Sequence, residues 1–337
     1  MLKLAILDDY TGTAQKNADW SPLKNTCEIT SINKHLSEDE AKTVLKPFDI
    51  VCSIRERMLF PKSLFAALPN LKLVTTIAPR LVGMDLPAAT ENGVLVCHDY
   101  LRRTMPHINT ATPELAWGLM IAAVRHIPQE VANFRNGGWQ HTVGDFILKG
   151  KTLGLCGVGN IGQHMAKFGR AFEMNVVGWS QNLDASSAAA VGVRYVTKEQ
   201  LFKQSDVIIV SYILSDRSRG IVGAEDIARM KPTAYLINPS RGPLIDEPAL
   251  IEALKNRKIA GAGLDVLWQE PPPKDHPFRS MDNVIVTPHL GYNVNEAMHY
   301  FYTDTIDTVH AFALGSPVRM ANPEVLEKFR SKIFPGK

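Results

Sequence analysis

The chain has 337 residues, of which 45% are hydrophobic and 21% are charged, and its formal net charge is +3. This length is enough for two ordinary domains, and the composition excludes a disordered or fibrous protein. So small a net charge gives no electrostatic reason to expect nucleic acid or a membrane as a partner. The longest apolar run, Leu115 to Val124, is much shorter than a membrane span.

The four cysteines, Cys27, Cys52, Cys97 and Cys156, lie in or beside apolar runs and show no CxxC spacing. We therefore expect buried, reduced thiols, no metal site and a cytoplasmic location. The apolar run at the N-terminus is too short for a signal peptide and turns acidic at once.

Strand and helix patterns alternate along the N-terminal part of the chain. The predicted strands are Leu2 to Leu7, Glu28 to Ile32, Asp49 to Ile54, Leu71 to Ile77 and Val94 to Cys97. The predicted helices are Ser37 to Leu45, which opens with a Ser-Glu-Asp-Glu cap, Pro61 to Leu68 and Asp85 to Asn92. Such alternation predicts a parallel sheet covered by helices on both faces.

A basic stretch from His98 to Thr112 predicts a crossover to a second domain. Thr112, Pro113 and Glu114 then predict the start of a long helix, with Thr112 as its N-cap. The Gly-rich segment from Asn136 to Gly150 predicts a loop.

The sequence GVGNIG at residues 157–162 follows an apolar run, Leu153 to Cys156, and precedes a helical pattern. A strand, a tight turn and a helix N-terminus in this order are typical of a dinucleotide-binding turn. In such a turn Gly157 permits the bend, Gly159 lets the backbone approach the pyrophosphate, and Gly162 lets the helix pack closely on the strand. Gly-rich turns are common, so the motif needs support from the residues downstream.

After this turn the alternation resumes, and it ends in a long helix. The predicted strands are Asn175 to Trp179, Val193 to Val196, Asp206 to Val210, Ala234 to Ile237, Ala260 to Leu264 and Val284 to Thr287. The final helix, Val294 to Leu314, has no strand after it, so we expect it to return to the first domain. The short Pro-bearing tail after Ser316 is predicted to end the fold.

Three polar residues, Arg241, Glu270 and His289, each lie at or just past the end of a predicted strand. Ligands bind at that edge of open α/β sheets. A histidine beside a carboxylate can donate and accept a proton, and an arginine can hold a carboxylate through two hydrogen bonds. Together they suit reduction of a 2-keto acid with hydride from a nicotinamide.

Each of these residues also has an ordinary interpretation. A lone histidine after a strand is more often a structural hydrogen-bonding group. Arg241 could cap a helix or pair with Asp246, and Glu270 could be a solvated acid in a Pro-rich loop. Their shared placement downstream of a dinucleotide turn favours the functional interpretation.

Further motifs accompany GVGNIG: SDRSRG at residues 215–220, INPSRGPLIDE at 237–247, GLDVLWQEPP at 263–272 and VIVTPHLG at 284–291. With them the chain resembles the D-isomer-specific 2-hydroxyacid dehydrogenase family over essentially its whole length. The resemblance implies an α/β fold of two doubly wound, Rossmann-like parallel-sheet domains. The nucleotide-binding domain, residues 105–291, would be inserted into a flavodoxin-like substrate-binding domain, residues 1–104 and 292–337. It also implies a homodimer formed through the nucleotide-binding domain and the helix near Thr112.

The resemblance assigns roles to individual residues. Arg241 would bind the substrate beside the nicotinamide, and Glu270 and His289 would form the acid/base pair. The reaction implied is NAD(P)-dependent reduction of a small 2-keto acid, such as glyoxylate or hydroxypyruvate, to the D-2-hydroxy acid, or the reverse. The implied cofactor-binding residues are Gly157, Gly159, Asn160, Ile161, Gly162, Ser180, Gln181, Leu214, Asn238, Ser240, Asp265 and Gly291.

The implied substrate loop contains Ala78, Arg80 and Leu81. Its backbone amides would bind the substrate carboxylate, although many members of the family have glycine where this chain has Ala78. Arg80 is either a second cation for a substrate with another polar group or a surface ion pair. Arg102, Arg103 and His107, in the basic crossover, could line the same site.

The cofactor is predicted to be NADP(H) or NAD(H), with NADP(H) favoured. NAD enzymes place an acid about twenty residues past the turn, where it binds the ribose 2′-OH. Ser180 stands at that position, so a 2′-phosphate would not be repelled, yet neither Gln181 nor Asn182 supplies a positive charge to attract it.

The same residues are also compatible with other functions. Phosphite dehydrogenases keep the dyad, and transcriptional corepressors on this fold often keep the catalytic trio, which would make the chain a dinucleotide-sensing binding protein. Formate dehydrogenases typically carry glutamine where Glu270 stands. The sequence shows neither a basic patch for nucleic acid nor partner-binding tails.

Overall fold

The computed structural model describes residues 1–78, 80–98 and 109–334. The chain divides into two compact units, unit 1 (Met1–Pro106 and Val294–Lys337) and unit 2 (His107–Asn293). Unit 2 is therefore an insertion in the sequence of unit 1. Arg102, Arg103 and His107 of the predicted basic crossover lie outside the described residues.

Within the described residues, unit 1 contains a five-stranded parallel sheet in the order β2-β1-β3-β4-β5. Its strands are β1 (Leu2–Ile6), β2 (Cys27–Ser31), β3 (Ile50–Ser53), β4 (Leu73–Thr76) and β5 (Leu95–His98). The connecting helices are α1 (Glu38–Val44), α2 (Lys62–Ala67) and α3 (Leu86–Glu91). The predicted cap of α1 is confirmed, because Ser37 and Glu40 form a reciprocal capping box.

Unit 2 contains a seven-stranded parallel sheet in the order β12-β11-β10-β9-β6-β7-β8, counted over the described residues. Its strands are β6 (Thr152–Cys156), β7 (Asn175–Trp179), β8 (Arg194–Tyr195), β9 (Val207–Val210), β10 (Tyr235–Asn238), β11 (Gly261–Leu264) and β12 (Val284–Val286). Its helices are α4 (Ala111–Val124), α5 (Ile127–Arg135), α6 (Asn160–Ala171), α7 (Ala185–Ala190), α8 (Lys198–Gln204), α9 (Ala224–Ala228) and α10 (Glu247–Lys255).

Side chains on the two faces of this sheet enter separate hydrophobic cores. Along β9, Ile208 and Val210 pack with residues of α8, α9 and α10, whereas Val207 and Ile209 pack with residues of α4 and α6. Successive side chains of a strand point to opposite faces, so a strand covered on both faces is apolar throughout. The predicted doubly wound α/β fold is confirmed.

The chain returns to unit 1 in α11 (Asn295–Ala313) and α12 (Val325–Ile333). The final long helix was predicted correctly. The tail after Ser316 contains a further helix that was not predicted, α12, which buries Val325 and Ile333. That helix is short and mostly polar, which explains why periodicity did not indicate it.

One prediction at α4 also needs correction. Thr112 is not the N-cap, since α4 begins at Ala111 and the Thr112 hydroxyl donates to the carbonyl of Gly291 at 2.9 Å. The loop predicted from Asn136 to Gly150 is confirmed, but α5 before it was not predicted.

All four cysteines are free and buried, as expected. Burial raises the pKa of Cys52, Cys97 and Cys156 to about 12. None of the helices in the described ranges combines the length and the apolar character that a bilayer span requires.

Candidate active site

Glu270 and His289, the residues predicted to act as acid and base, are in contact in unit 2. His289 Nδ1 lies 2.6 Å from Glu270 Oε2, and the two side chains are only 13% and 32% exposed. His289 follows β12 and Glu270 follows β11, so the carboxyl ends of two neighbouring parallel strands bring the residues together. The alternative of a freely solvated Glu270 is therefore wrong.

The buried carboxylate of Asp265 fixes the backbone around His289. Its Oδ1 accepts hydrogen bonds from the Thr287 hydroxyl and the Leu290 amide, both at 2.7 Å, and its Oδ2 accepts one from the Gly291 amide at 2.8 Å. His289 has a left-handed φ of 55°, which costs a residue other than glycine about 1–3 kcal/mol. These three hydrogen bonds hold the turn in that conformation.

The two carboxyl groups have opposite pKa shifts. Burial raises the pKa of Glu270, but the hydrogen bond and positive charge of His289, with smaller contributions from the Leu267 amide and Arg241, outweigh it. The net result is a Glu270 pKa below its usual value, so this side chain is a stable partner for an imidazolium. For Asp265, burial is the largest influence, and it keeps the pKa above its usual value although the hydrogen bonds to Thr287, Leu290 and Gly291 lower it.

Several contacts hold the loop that carries Glu270. Glu270 Oε1 accepts a hydrogen bond from the Leu267 amide at 2.9 Å, and Trp268 Nε1 donates to the Ile245 carbonyl at 2.8 Å. Farther along, His276 Nε2 lies 3.0 Å from Glu247 Oε1. The loop is thus tied to the body of unit 2 on both sides of Glu270.

Arg241 follows β10 on the same edge of the sheet. Its guanidinium donates to the carbonyl of Ser240 at 2.6 Å, and its charge lowers the pKa of Glu270. Asn238 braces the turn, because its amide donates to the Arg241 carbonyl and its oxygen accepts from the Ser240 amide. Ser240 in turn donates its hydroxyl to the Val210 carbonyl at 3.1 Å. Asn238 and Ser240 therefore shape the turn that carries Arg241.

The glycine turn at residues 157–162 has the local geometry that a pyrophosphate requires. Gly157 has a left-handed φ of 103°, and a Cβ there would lie 2.8 Å from the Ser211 carbonyl oxygen. A Cβ at Gly162 would lie 2.3 Å from the carbonyl oxygen of Gly157. A Cβ at Gly159, in contrast, would have no atom within 4 Å, so the space beside it is open.

The helix α6 begins at Asn160 and Ile161, directly after this open space. No side chain caps its first amides, which leaves them available to an anionic ligand. The turn and this helix start fit a dinucleotide pyrophosphate.

Ser180 and Gln181 follow β7, the strand next to β6. The Gln181 amide donates to the Tyr212 hydroxyl at 2.8 Å, and that hydroxyl donates to Ser180 Oγ at 3.0 Å. Asp184 does not replace the missing acid, because it is the N-cap of α7 and accepts from the Ser187 amide at 2.7 Å. Leu214, also predicted at the cofactor site, packs partly buried on the core.

The predicted substrate loop belongs to unit 1 and follows β4. Ala78 is buried, and its carbonyl oxygen lies 3.2 Å from His98 Nδ1. Leu81 packs partly buried on the core of unit 1, and Arg80 is exposed to solvent.

Sequence reasoning missed two residues that organise the site. Thr287 holds Asp265, and Tyr212 connects Ser180 with Gln181. Thr287 is the last residue of a predicted strand and Tyr212 lies two residues past another, so a survey of every hydroxyl group at or past a strand end would have found them.

Residues 117–291 match the family model described as D-isomer specific 2-hydroxyacid dehydrogenase, NAD binding domain, which is about half of the chain. The chain belongs to the D-isomer specific 2-hydroxyacid dehydrogenase family. Its relatives within that family carry different names.

Glyoxylate reductase of Thermococcus litoralis is 35% identical, over 79% of this chain and 81% of the relative. D-3-phosphoglycerate dehydrogenase of Methanocaldococcus jannaschii is 38% identical, over 78% of this chain and 49% of the relative. The chain thus spans about half the length of the phosphoglycerate dehydrogenases that it matches. Among solved structures, phosphoglycerate oxidoreductase from Vibrio cholerae superposes with a TM-score of 0.86 at 32% identity, covering 93% of this chain and 99% of that one.

Replacing Gly159 by alanine separates cofactor binding from folding. Gly159 has a φ of −79° and open space around its Cβ position, so the Gly159→Ala chain should keep its free energy of unfolding within about 0.5 kcal/mol. The added methyl group occupies the space in which the pyrophosphate must lie, so dinucleotide affinity should fall by about tenfold or more. Denaturant unfolding and calorimetric titration with NADH and NADPH measure both quantities. Gly118→Ala, at an exposed helical position in α4, is the control and should leave affinity unchanged.

The Glu270–His289 pair should give the protein an acid-sensitive stability. Because the pKa of folded Glu270 lies below its ordinary value of 4.5, the pair stabilises the fold above that pH and loses this contribution as the pH falls through the folded pKa. In Glu270→Gln, position 270 carries no ionisable group, so this pH-dependent contribution to stability is absent. The difference in free energy of unfolding between wild type and Glu270→Gln should therefore shrink below pH 4.5, as measured by urea denaturation at a series of pH values. A difference that stays constant with pH would contradict the pairing.

Proposed function

We propose that the protein is an NAD(P)-dependent oxidoreductase that interconverts a small 2-keto acid and the D-2-hydroxy acid. The observation that carries the proposal is the 2.6 Å contact between His289 and Glu270, at the same sheet edge as Arg241 and in the unit that bears the glycine turn. A histidine oriented by a buried carboxylate is a general acid for a carbonyl oxygen and a general base for the reverse reaction.

Each residue has one role in the proposed mechanism. Glu270 accepts a hydrogen bond from Nδ1–H of His289, stabilises the imidazolium and leaves Nε2 to exchange a proton with the substrate oxygen. Arg241 binds the substrate carboxylate through its guanidinium. The nicotinamide, when bound, supplies or accepts the hydride. Asp265 holds His289 in position through the backbone amides of the turn.

We propose the same division of labour for the two units that the sequence predicts. Residues 105–291 would bind the dinucleotide, with Gly157, Gly159, Asn160, Ile161 and Gly162 at the pyrophosphate and Ser180, Gln181, Leu214, Asn238, Ser240, Asp265 and Gly291 at the remainder. Residues 1–104 and 292–337 would bind the substrate, with Ala78, Arg80 and Leu81 facing its carboxylate. Arg80 is exposed, so its charge is accessible to an anionic ligand.

Glyoxylate and hydroxypyruvate are the proposed substrates. The name of the Thermococcus litoralis relative, of which this chain covers 81%, supports glyoxylate. The phosphoglycerate dehydrogenase of Methanocaldococcus jannaschii is about twice as long as the matched region, whereas the phosphoglycerate oxidoreductase of Vibrio cholerae is covered to 99%, so phosphoglycerate is a further substrate to test.

NADP(H) is the proposed preferred cofactor. The acid that would repel a 2′-phosphate is replaced by Ser180, and Asp184 is used as a helix cap. We also propose a cytoplasmic location, which the four free thiols support because disulfides are rare in that compartment.

A homodimer formed through unit 2 is the proposed assembly. Exposed apolar side chains on α5 and on the irregular segment after that helix support this assembly. They are Val131, Phe134, Trp139, Val143 and Ile147. Trp139 and Val143 are 77% and 85% exposed, which is unusual for apolar side chains without a partner surface. The segment is held in place, since Glu130 accepts from the Thr142 hydroxyl and Asn133 donates to the Trp139 carbonyl.

Turnover tests the enzymatic proposal. Wild type should oxidise NADPH, and NADH more slowly, with at least one of glyoxylate, hydroxypyruvate, pyruvate and phenylpyruvate, as followed by absorbance. His289→Ala should lower kcat by about 10²–10⁴-fold, since it removes the general acid. His299→Ala, an exposed histidine of unit 1, is the matched control and should keep full activity.

Full activity in His289→Ala would contradict the mechanism. Cofactor binding without turnover on any of these acids would instead favour the dinucleotide-sensing binding protein. In the same assay, an unchanged KM in Arg80→Ala would remove the support for Arg80 as a substrate-binding residue.

Sedimentation equilibrium tests the assembly. We expect the wild-type chain to sediment as a dimer, and Val143→Glu to sediment as a monomer because a charge would be buried in the interface. Tyr195→Glu, at a partly exposed position on β8, should remain dimeric. A monomeric wild type would overturn the proposal.

A further inference from the structure

Tyr212 crosses the glycine turn of unit 2. It follows β9, which lies on one side of β6, and its hydroxyl reaches Ser180 past the end of β7, on the other side. The ring passes beside Gly157, where a Cβ would lie 3.0 Å from Tyr212 Cδ2. The absence of a side chain at Gly157 therefore makes room for the tyrosine as well as for the turn.

The hydroxyl of Tyr212 organises the end of β7. It accepts a hydrogen bond from the Gln181 amide at 2.8 Å and donates one to Ser180 Oγ at 3.0 Å. The ring packs against Trp179, with 6.0 Å between the ring centroids. Ser180 thus keeps its own hydroxyl proton to donate to a ligand.

This end of β7 adjoins the predicted phosphate site directly. The Gly157 amide donates a hydrogen bond to the Trp179 carbonyl at 2.9 Å. Ser180 therefore directly follows a residue that is hydrogen-bonded to the glycine turn. In dinucleotide-binding folds the ribose 2′ substituent is recognised at the end of this second strand, usually by an acid. Here the same place carries two hydroxyl groups.

The hydroxyl of Tyr212 is neutral, and two charged side chains nearby have local partners. Burial raises the pKa of Tyr212, so its hydroxyl stays protonated at physiological pH. Lys198 Nζ lies 5.5 Å from the centre of the Trp179 ring, but it forms an ion pair with Asp226 at 2.6 Å. Asp184 is used as the N-cap of α7.

We propose that Tyr212 is a specificity-determining residue for the cofactor: its hydroxyl orients Ser180 so that the neutral Ser180 hydroxyl donates a hydrogen bond to the ribose 2′-phosphate of NADP(H). The proposal rests on the proposed dinucleotide site and names the residue that sets its selectivity. Hydroxyl donors can hydrogen-bond a phosphate oxygen, whereas the carboxylate common at this position repels it. The site therefore binds a 2′-phosphate without an arginine, and it tolerates a free 2′-OH.

The test compares two ligands that differ only in the 2′-phosphate, namely 2′,5′-ADP and 5′-AMP, by calorimetric titration of the full chain. Wild type should bind 2′,5′-ADP more tightly. In Tyr212→Phe the ring still packs on Trp179, but Ser180 loses its donor, so the ratio of the two affinities should fall by about fivefold, as expected for one hydrogen bond. Ser180→Ala should lower the ratio in the same direction. Tyr300→Phe, in unit 1, is the matched control and should leave the ratio unchanged.

The outcomes separate failure of the dinucleotide site from failure of the role of Tyr212. If wild type binds neither nucleotide, nor NADH or NADPH, the proposed dinucleotide site itself fails. If wild type binds both but the ratio is unchanged or rises in Tyr212→Phe and in Ser180→Ala, the role assigned to Tyr212 is overturned. Equal weakening of both nucleotides in both variants would also overturn it, because that result indicates a purely structural residue.

Discussion

The candidate site depends on one buried carboxylate. Asp265 accepts three hydrogen bonds from a turn that otherwise contains an unfavourable left-handed residue, His289. Without that acceptor, the amides of Leu290 and Gly291 would lose their partners, and an unpaired buried donor costs about 1–3 kcal/mol. Burial of the Asp265 charge is unfavourable, and it raises the pKa of that carboxyl group. In return, its hydrogen bonds fix the turn that carries the His289 imidazole.

The two ends of the sheet edge in unit 2 differ in their electrostatics. Past β10, β11 and β12 lie ionisable groups: Glu270 and His289 are in contact, and the charge of Arg241 acts on Glu270. These groups suit proton transfer and anion binding. Past β7 and β9 lie the neutral hydroxyl groups of Ser180 and Tyr212. The glycine turn after β6 lies between these two hydroxyl-bearing strand ends, because β6 lies between β7 and β9. One parallel sheet thus carries a charged region and an uncharged region along the same edge.

The sequence predicted those features that depend on strand order and local chemistry. Glu270 and His289 could be paired in advance because parallel strands end at one edge, so residues distant in sequence become neighbours. The role of Thr112 could not be predicted, since its hydroxyl bonds Gly291, 179 positions away, rather than its own helix. Tyr212 was missed for the same reason: its partners lie about thirty residues upstream and are reached only across a glycine.

The four buried cysteines make the folded protein inert to thiol chemistry. A thiol with a pKa of about 12, as in Cys52, Cys97 and Cys156, has almost no thiolate at neutral pH, and alkylating reagents and peroxides attack the thiolate. Modification must therefore wait for local opening of the backbone. Since Cys156 is in unit 2 and the other three are in unit 1, the order in which they become labelled would report which unit opens first.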